Sequence, residues 1–140
     1  MTIALGGTMP DVHKGNCLCG AVRFAAHGEL RELIYCHCSQ CRKQTGLYYA
    51  ATNVEDRNLE VEGAENLTWY RASETASRGF CRRCGSALFW KANGLDYTSI
   101  LAGAFEKPTE LKGGYHIFCE DQGDFYEISD DLPKYAAGRG

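Results

Sequence analysis

Residues 35–46, Tyr-Cys-His-Cys-Ser-Gln-Cys-Arg-Lys-Gln-Thr-Gly, hold three cysteines and a histidine between Cys36 and Cys41. Two further pairs flank this stretch, Cys17-Leu18-Cys19 before it and Cys81-Arg82-Arg83-Cys84 after it. Seven of the eight cysteines therefore stand at metal-ligand spacing, one short of two tetrahedral sets. Four thiolates close one zinc site, and the remaining three leave a second site incomplete. Structural zinc sites are normally closed, whereas catalytic ones keep a position for water or substrate.

The same stretch dictates its local structure. Ser39 is suited to cap a short helix, Gln40 to Gln44 are fair helix formers, and Gly46 supplies the stop. Cys41 then sits on the first helical turn beneath Cys36 and Cys38. In extended chain, residues i and i+2 share a face, so Cys36 and Cys38 point together and His37 points the other way.

Working outward, the chain consists of short runs rich in Val, Ile, Thr and aromatics: GAVRFAA, ELIYC, LYYAATNV, NLEV, NLTWY, SALFW, DYTSILAGAF, YHIFC and FYEIS. Such runs, cut by glycines at hairpin intervals, predict a mainly β protein with one short helix after the central cysteines. One domain is expected over residues 11–134, with a flexible N-terminal arm over residues 1–10 and a flexible tail over residues 135–140.

Hydrophobic residues at 44% and charged residues at 24% are ordinary for a soluble globular domain. The net charge of -3 argues against binding to a phosphate backbone. No apolar run approaches the roughly 18 residues that a membrane span needs, and residues 1–13 lack a secretory pattern. The expected address is cytoplasmic, where a reducing environment favours metal over disulfide for closely spaced cysteines.

Cys81-Arg82-Arg83-Cys84-Gly85 has the form of a zinc knuckle, and Cys17-Leu18-Cys19-Gly20 is a tighter version of it. These four cysteines pair around one structural zinc. Cys36, Cys38 and Cys41 then hold a second, open zinc, giving two per chain. A closed site with His37, His13, His27 or His116 as fourth ligand is the alternative, and a redox dithiol a weaker one. Zinc with three thiolates carries about -1 overall, so it activates water less than a site of neutral histidines. A soft thiol substrate suits it better. A fourth thiolate calls for nearby positive charge, for which Arg42 is the first candidate and Lys43, Arg82 and Arg83 the others.

The order GNCLCGAVRF, YCHCSQCRKQTG, FCRRCGSALFW and YHIFCEDQGDFYEISDDLP resembles the glutathione-dependent formaldehyde-activating enzyme family, whose domain also occurs in centromere protein V. The resemblance runs from Lys14 to Pro133. It implies coiled antiparallel sheets like those of the methionine-R-sulfoxide reductases. It also implies a structural zinc at Cys17, Cys19, Cys81 and Cys84 and a catalytic one at Cys36, Cys38 and Cys41. The implied activity is that of a carbon–sulfur lyase acting on S-(hydroxymethyl)glutathione, made from glutathione and formaldehyde. The partners are then a small-molecule thiol such as glutathione and an aldehyde. His37 and His116 become candidates for moving a proton at the adduct oxygen. The chain departs from the family pattern at Phe125, where a tryptophan is common, and at Cys119, expected to be a buried apolar thiol. The rival readings are a zinc-stabilised binding module without catalysis and a lyase for a different thiol or aldehyde.

Overall fold

The computed structural model describes residues 11–139; the expected arm over residues 1–10 lies outside them. The described residues form a mainly β protein. Its elements are β1 (Val12–Asn16), β2 (Arg23–His27), β3 (Leu33–Cys36), α1 (Ser39–Thr45), β4 (Tyr49–Glu55), β5 (Leu59–Glu62), β6 (Leu67–Arg71), β7 (Ala76–Cys81), β8 (Ala87–Ala92), β9 (Tyr97–Leu101) and β10 (Gly113–Ile117). They make a three-stranded sheet, β1-β2-β5, and a seven-stranded sheet, β10-β3-β4-β9-β8-β7-β6. Every pairing is antiparallel except β10 with β3, which is parallel. No hairpin joins those two strands: β10 follows β9 through residues 102–112 and meets β3 at the sheet edge.

The seven-stranded sheet uses its two faces differently. Val54, Phe89 and Ile100 turn towards the three-stranded sheet and pack with Val22, Phe24, Ala26 and Leu30. Phe24 sits edge-on to Phe89 at 5.6 Å and to Phe105 at 5.2 Å, the quadrupole-favoured geometry. Residues one step out of phase face the other way. Register aligns them in rows: Cys36 beside Tyr49, Ile34 beside Ala51, Asn53 beside Ser99, Ser99 beside Trp90, and Trp90 beside Arg78. All of these line one cavity of about 510 Å³.

Helix α1 starts one residue earlier than expected. Its N-cap is Cys38 rather than Ser39, because the Cys38 sulfur accepts the Cys41 backbone N–H at 3.4 Å. Gly46 ends it as predicted, in the left-handed region at φ 88°, with its N–H donating to the Arg42 carbonyl at 2.8 Å.

Three local expectations change. Residues 76–81, not anticipated as a strand, form β7. The FYEIS segment forms no strand, since no sheet edge pairs with it; it wraps as a loop, held by Gln122 Nε2 donating to the Tyr126 carbonyl at 2.7 Å. Cys119 is half-buried at the start of a short 3₁₀ turn rather than enclosed in the core. The start of the segment read as the C-terminal tail bonds back to the chain. Phe118 N–H donates to Ala137 O, Cys119 N–H to Tyr135 O and Glu120 N–H to Ala136 O, at 3.0–3.1 Å.

Candidate metal centres and the adjoining cavity

Two turns carry the four-cysteine set. Cys17 and Cys19 lie in the tight turn between β1 and β2, and Cys81 and Cys84 close the turn between β7 and β8. Their sulfurs lie within 4.8 Å of one another and could hold a metal ion. A tetrahedron with metal–sulfur bonds of about 2.3 Å has edges of about 3.8 Å. The Cys17–Cys19 and Cys19–Cys81 separations are 3.7 and 3.8 Å. Backbone N–H groups of Val22 and Arg83 point at the sulfurs of Cys17 and Cys81, at 3.3 and 3.4 Å. Ser86 ties the two turns together: its hydroxyl accepts from Leu18 N–H at 2.9 Å and lies 3.2 Å from Cys84 Sγ. Through side chain and backbone it pulls the Cys84 thiol down to about 5.

The three-cysteine set also has its sulfurs within 4.8 Å, and no histidine among the described residues joins it. Cys38 and Cys41 are 3.2 Å apart, so taking a tetrahedral zinc requires them to separate by about 0.6 Å. Contacts from Cys36 and then Cys41 hold the Cys38 thiol far below its ordinary range, while contacts from Cys38 and Cys41 push Cys36 up. Three thiols this close share their protons unequally, and a divalent cation is what would let all three ionise.

The cation beside this set is Arg78, which sequence reasoning did not single out. It is only 6% exposed, and its Nη2 donates to Cys41 Sγ at 3.5 Å and Gln40 Oε1 at 3.3 Å, its Nη1 to Gln44 Oε1 at 2.9 Å. Both glutamines stand on α1, so the helix that presents Cys41 also aims the guanidinium. Burial works to lower the Arg78 pKa, but the bond to Cys41 and its charge prevail and raise it. Arg78 also lies over the Tyr49 ring at 5.3 Å. Arg42, the first candidate from sequence, does not line the cavity, and neither do Lys43, Arg82 or Arg83.

His37 and His116 come together behind the cysteine loop, outside the cavity lining. His37 is fully buried; its Nδ1 lies 2.6 Å from the Tyr126 hydroxyl and its Nε2 lies 2.8 Å from His116 Nδ1. His116 Nε2 lies 2.9 Å from Asp130. A carboxylate only accepts, so with both rings neutral the donors run in one direction. Tyr126 O–H gives to His37, His37 Nε2–H to His116, and His116 Nε2–H to Asp130. Burial first, and then the neighbouring His116, lowers the His37 pKa to about 4. The other two histidines also lie outside both cysteine sets: His27 pairs with Glu60 at 3.3 Å, and His13 packs edge-on to Phe105. Phe125 is exposed and away from the cavity.

The family model for the glutathione-dependent formaldehyde-activating enzyme matches residues 12–121. The chain belongs to this family. Among its relatives, an uncharacterized lyase of Schizosaccharomyces pombe is 30% identical over 128 residues, covering 91% of this chain and 92% of that protein. A Halomonas elongata protein, provisionally named a glutathione-dependent formaldehyde-activating enzyme, is 32% identical, over 82% of this chain and 80% of its own. A crystal structure of a Rhodobacter sphaeroides protein superposes with a TM-score of 0.56 at 33% identity, over 67% of this chain and 88% of that one. Membership of the formaldehyde-activating family supports an enzymatic role. The matched span contains both cysteine sets and ends before Tyr126 and Asp130. Among the described residues no helix is long and apolar enough to cross a membrane.

Proposed function

We propose that the chain is a zinc-dependent carbon–sulfur lyase acting on a thiol–aldehyde adduct, with S-(hydroxymethyl)glutathione as the favoured substrate. The observation that carries this reading is the asymmetry of the two cysteine sets. Four sulfurs complete one tetrahedron, whereas Cys36, Cys38 and Cys41 stop at three and open onto a cavity. At about 510 Å³ the cavity lies within the roughly 300–1,000 Å³ usual for small-molecule sites. A zinc ion held by these three residues would supply an open position where a substrate thiol loses its proton.

The protein's own groups would then do the following. Arg78 offsets the charge of the thiolates through Cys41, which a fourth thiolate makes more necessary. The aliphatic and aromatic wall from Ile34, Trp90 and Ile117 limits water around the reacting sulfur. In the addition direction a sulfur–carbon bond forms, the carbonyl π pair moves to oxygen, and that oxygen takes the proton the thiol gave up. Tyr49, which pairs with Cys36 across β3 and β4, buries a hydroxyl that has no partner among the described residues and is held protonated by burial. His37 and His116 keep the Cys36–Cys38 loop in shape from behind, without touching substrate. Arg42 packs against the 123–126 loop rather than serving the reaction.

The test combines metal content with turnover. Wild type is expected to carry two zinc ions per chain and Cys38→Ser one, with adduct formation from glutathione and formaldehyde exceeding the spontaneous rate only in wild type. Equal rates for wild type, variant and buffer would remove the activity.

A further inference from the structure

Among the described residues, two arginines and no carboxylate line the cavity. Arg78 is committed: its two Nη groups serve α1 and Cys41. Arg31 is not. It precedes β3, and one nitrogen, Nη1, donates to the carbonyls of Glu32 and Ala51 at 2.7 and 3.0 Å. Its own carbonyl accepts from the buried Thr52 hydroxyl at 2.7 Å, which fixes the backbone that carries it. Among the described residues the remaining donors of this planar fork have no protein acceptor, and no carboxylate pairs with it. A half-buried guanidinium without a counter-ion is unusual, because a buried charge is normally paired. Burial accordingly lowers the Arg31 pKa, with Tyr115 and Tyr97 near enough to oppose it.

We propose that Arg31 is the anion anchor of this cavity, receiving a carboxylate of the thiol substrate whose sulfur lies at Cys36, Cys38 and Cys41. The proposal rests on the lyase reading for the role of the sulfur. The carboxylate supplies the missing counter-charge, and the guanidinium fork matches it in bidentate geometry. Asn53 and Ser99, paired across β4 and β9 on the cavity floor, add neutral polar groups with no charge to repel an anion. The site therefore selects acidic thiols such as glutathione over neutral thiols of the mercaptoethanol kind. Selection acts in binding rather than in the bond-making step, because Arg31 is not among the groups set around the cysteine sulfurs.

Two measurements test this on the zinc-loaded protein. The first is calorimetric binding of S-methylglutathione and its diethyl ester, which carry no free thiol. Wild type is expected to bind the acid about tenfold or more tightly than the ester, and Arg31→Gln to lose that preference, with Arg31→Lys recovering part of it. The second is the rate with glutathione and with 2-mercaptoethanol. Arg31→Gln is expected to raise KM for glutathione about tenfold while leaving kcat, and the mercaptoethanol rate, unchanged. Equal binding of acid and ester by wild type overturns the anchor without any variant. So does a parallel loss of both thiols in Arg31→Gln. Should wild type accelerate neither thiol yet still prefer the acid, the lyase reading falls and the anion site stands.

Discussion

Tyr49 buries a phenolic oxygen with no hydrogen-bond partner among the described residues at 5% exposure, beside the sulfurs of Cys36 and Cys41. An unsatisfied buried hydroxyl costs stability, so Tyr49→Phe is expected to stabilise the substrate-free protein by about 1 kcal/mol. In a domain of this size that is a rise in melting temperature of about 3 °C. The ring stacking under Arg78 survives the change, and turnover is expected to fall, which separates use of the hydroxyl from its packing. Arg78→Met makes the converse case. Loss of its bond to Cys41 is expected to weaken metal retention at the three-cysteine set about tenfold or more, measured by chelator competition, with the four-cysteine set unchanged. The cysteines were legible in the sequence because their spacing alone brings sulfurs together. Arg78 was not, because what sets it facing Cys41 is the pairing of Arg78 with Trp90 and the reach of Gln40 and Gln44 across from α1.

At the scale of elements, β3 and α1 are joined by a loop that is read from both sides: sulfurs of Cys36 and Cys38 on the cavity face, His37 on the other. The period-2 argument from sequence predicted that division. The partners behind it, Tyr126 and Asp130, could not be read, because FYEIS carries a strand pattern yet finds no sheet edge. Strand β7 escaped for the opposite reason: Ala76–Cys81 contains no β-branched residue and a central glycine, and is made a strand by its two neighbours. Gly79 has a packing role there, since a Cβ would stand 3.0 Å from the Trp69 ring. The His37 chain has a pH signature. Its folded pKa, about 4, lies below the value of about 6.5 for an unfolded histidine, so the unfolded chain binds more protons in that window. The contribution is fully present above pH 6.5 and is lost as pH falls towards 4, by on the order of 3 kcal/mol at most. Denaturant unfolding of wild type and His37→Gln at pH 7 and pH 5 checks this. The gap between them is expected to narrow at the lower pH, and a constant gap would show that His37 charges equally in both states.

Across the whole molecule, the four-cysteine set joins turns that lie far apart in the chain, Cys17–Cys19 between strands of the small sheet and Cys81–Cys84 between strands of the large one. A metal ion held here would fasten the two sheets and offset the entropy of closing that long loop, a cost the packing around Phe24 and Phe89 must otherwise meet alone. The three-cysteine set differs: Cys36, Cys38 and Cys41 come from one continuous loop, and closing it orders little chain. Metal removal should therefore have two separable consequences. Titration with a chelator is expected to take one zinc first, abolishing turnover with the far-ultraviolet spectrum unchanged. Removal of the second should lower global stability by RT ln(1 + [Zn]/Kd), about 4 kcal/mol where free zinc stood at 1,000 times Kd. Cys19→Ser should reproduce the second loss alone, and Cys38→Ser the first. If instead Cys38→Ser destabilises the fold as much as Cys19→Ser, both sets are structural. The open site would then be a second clasp, and the cavity beside it would lose its claim to chemistry.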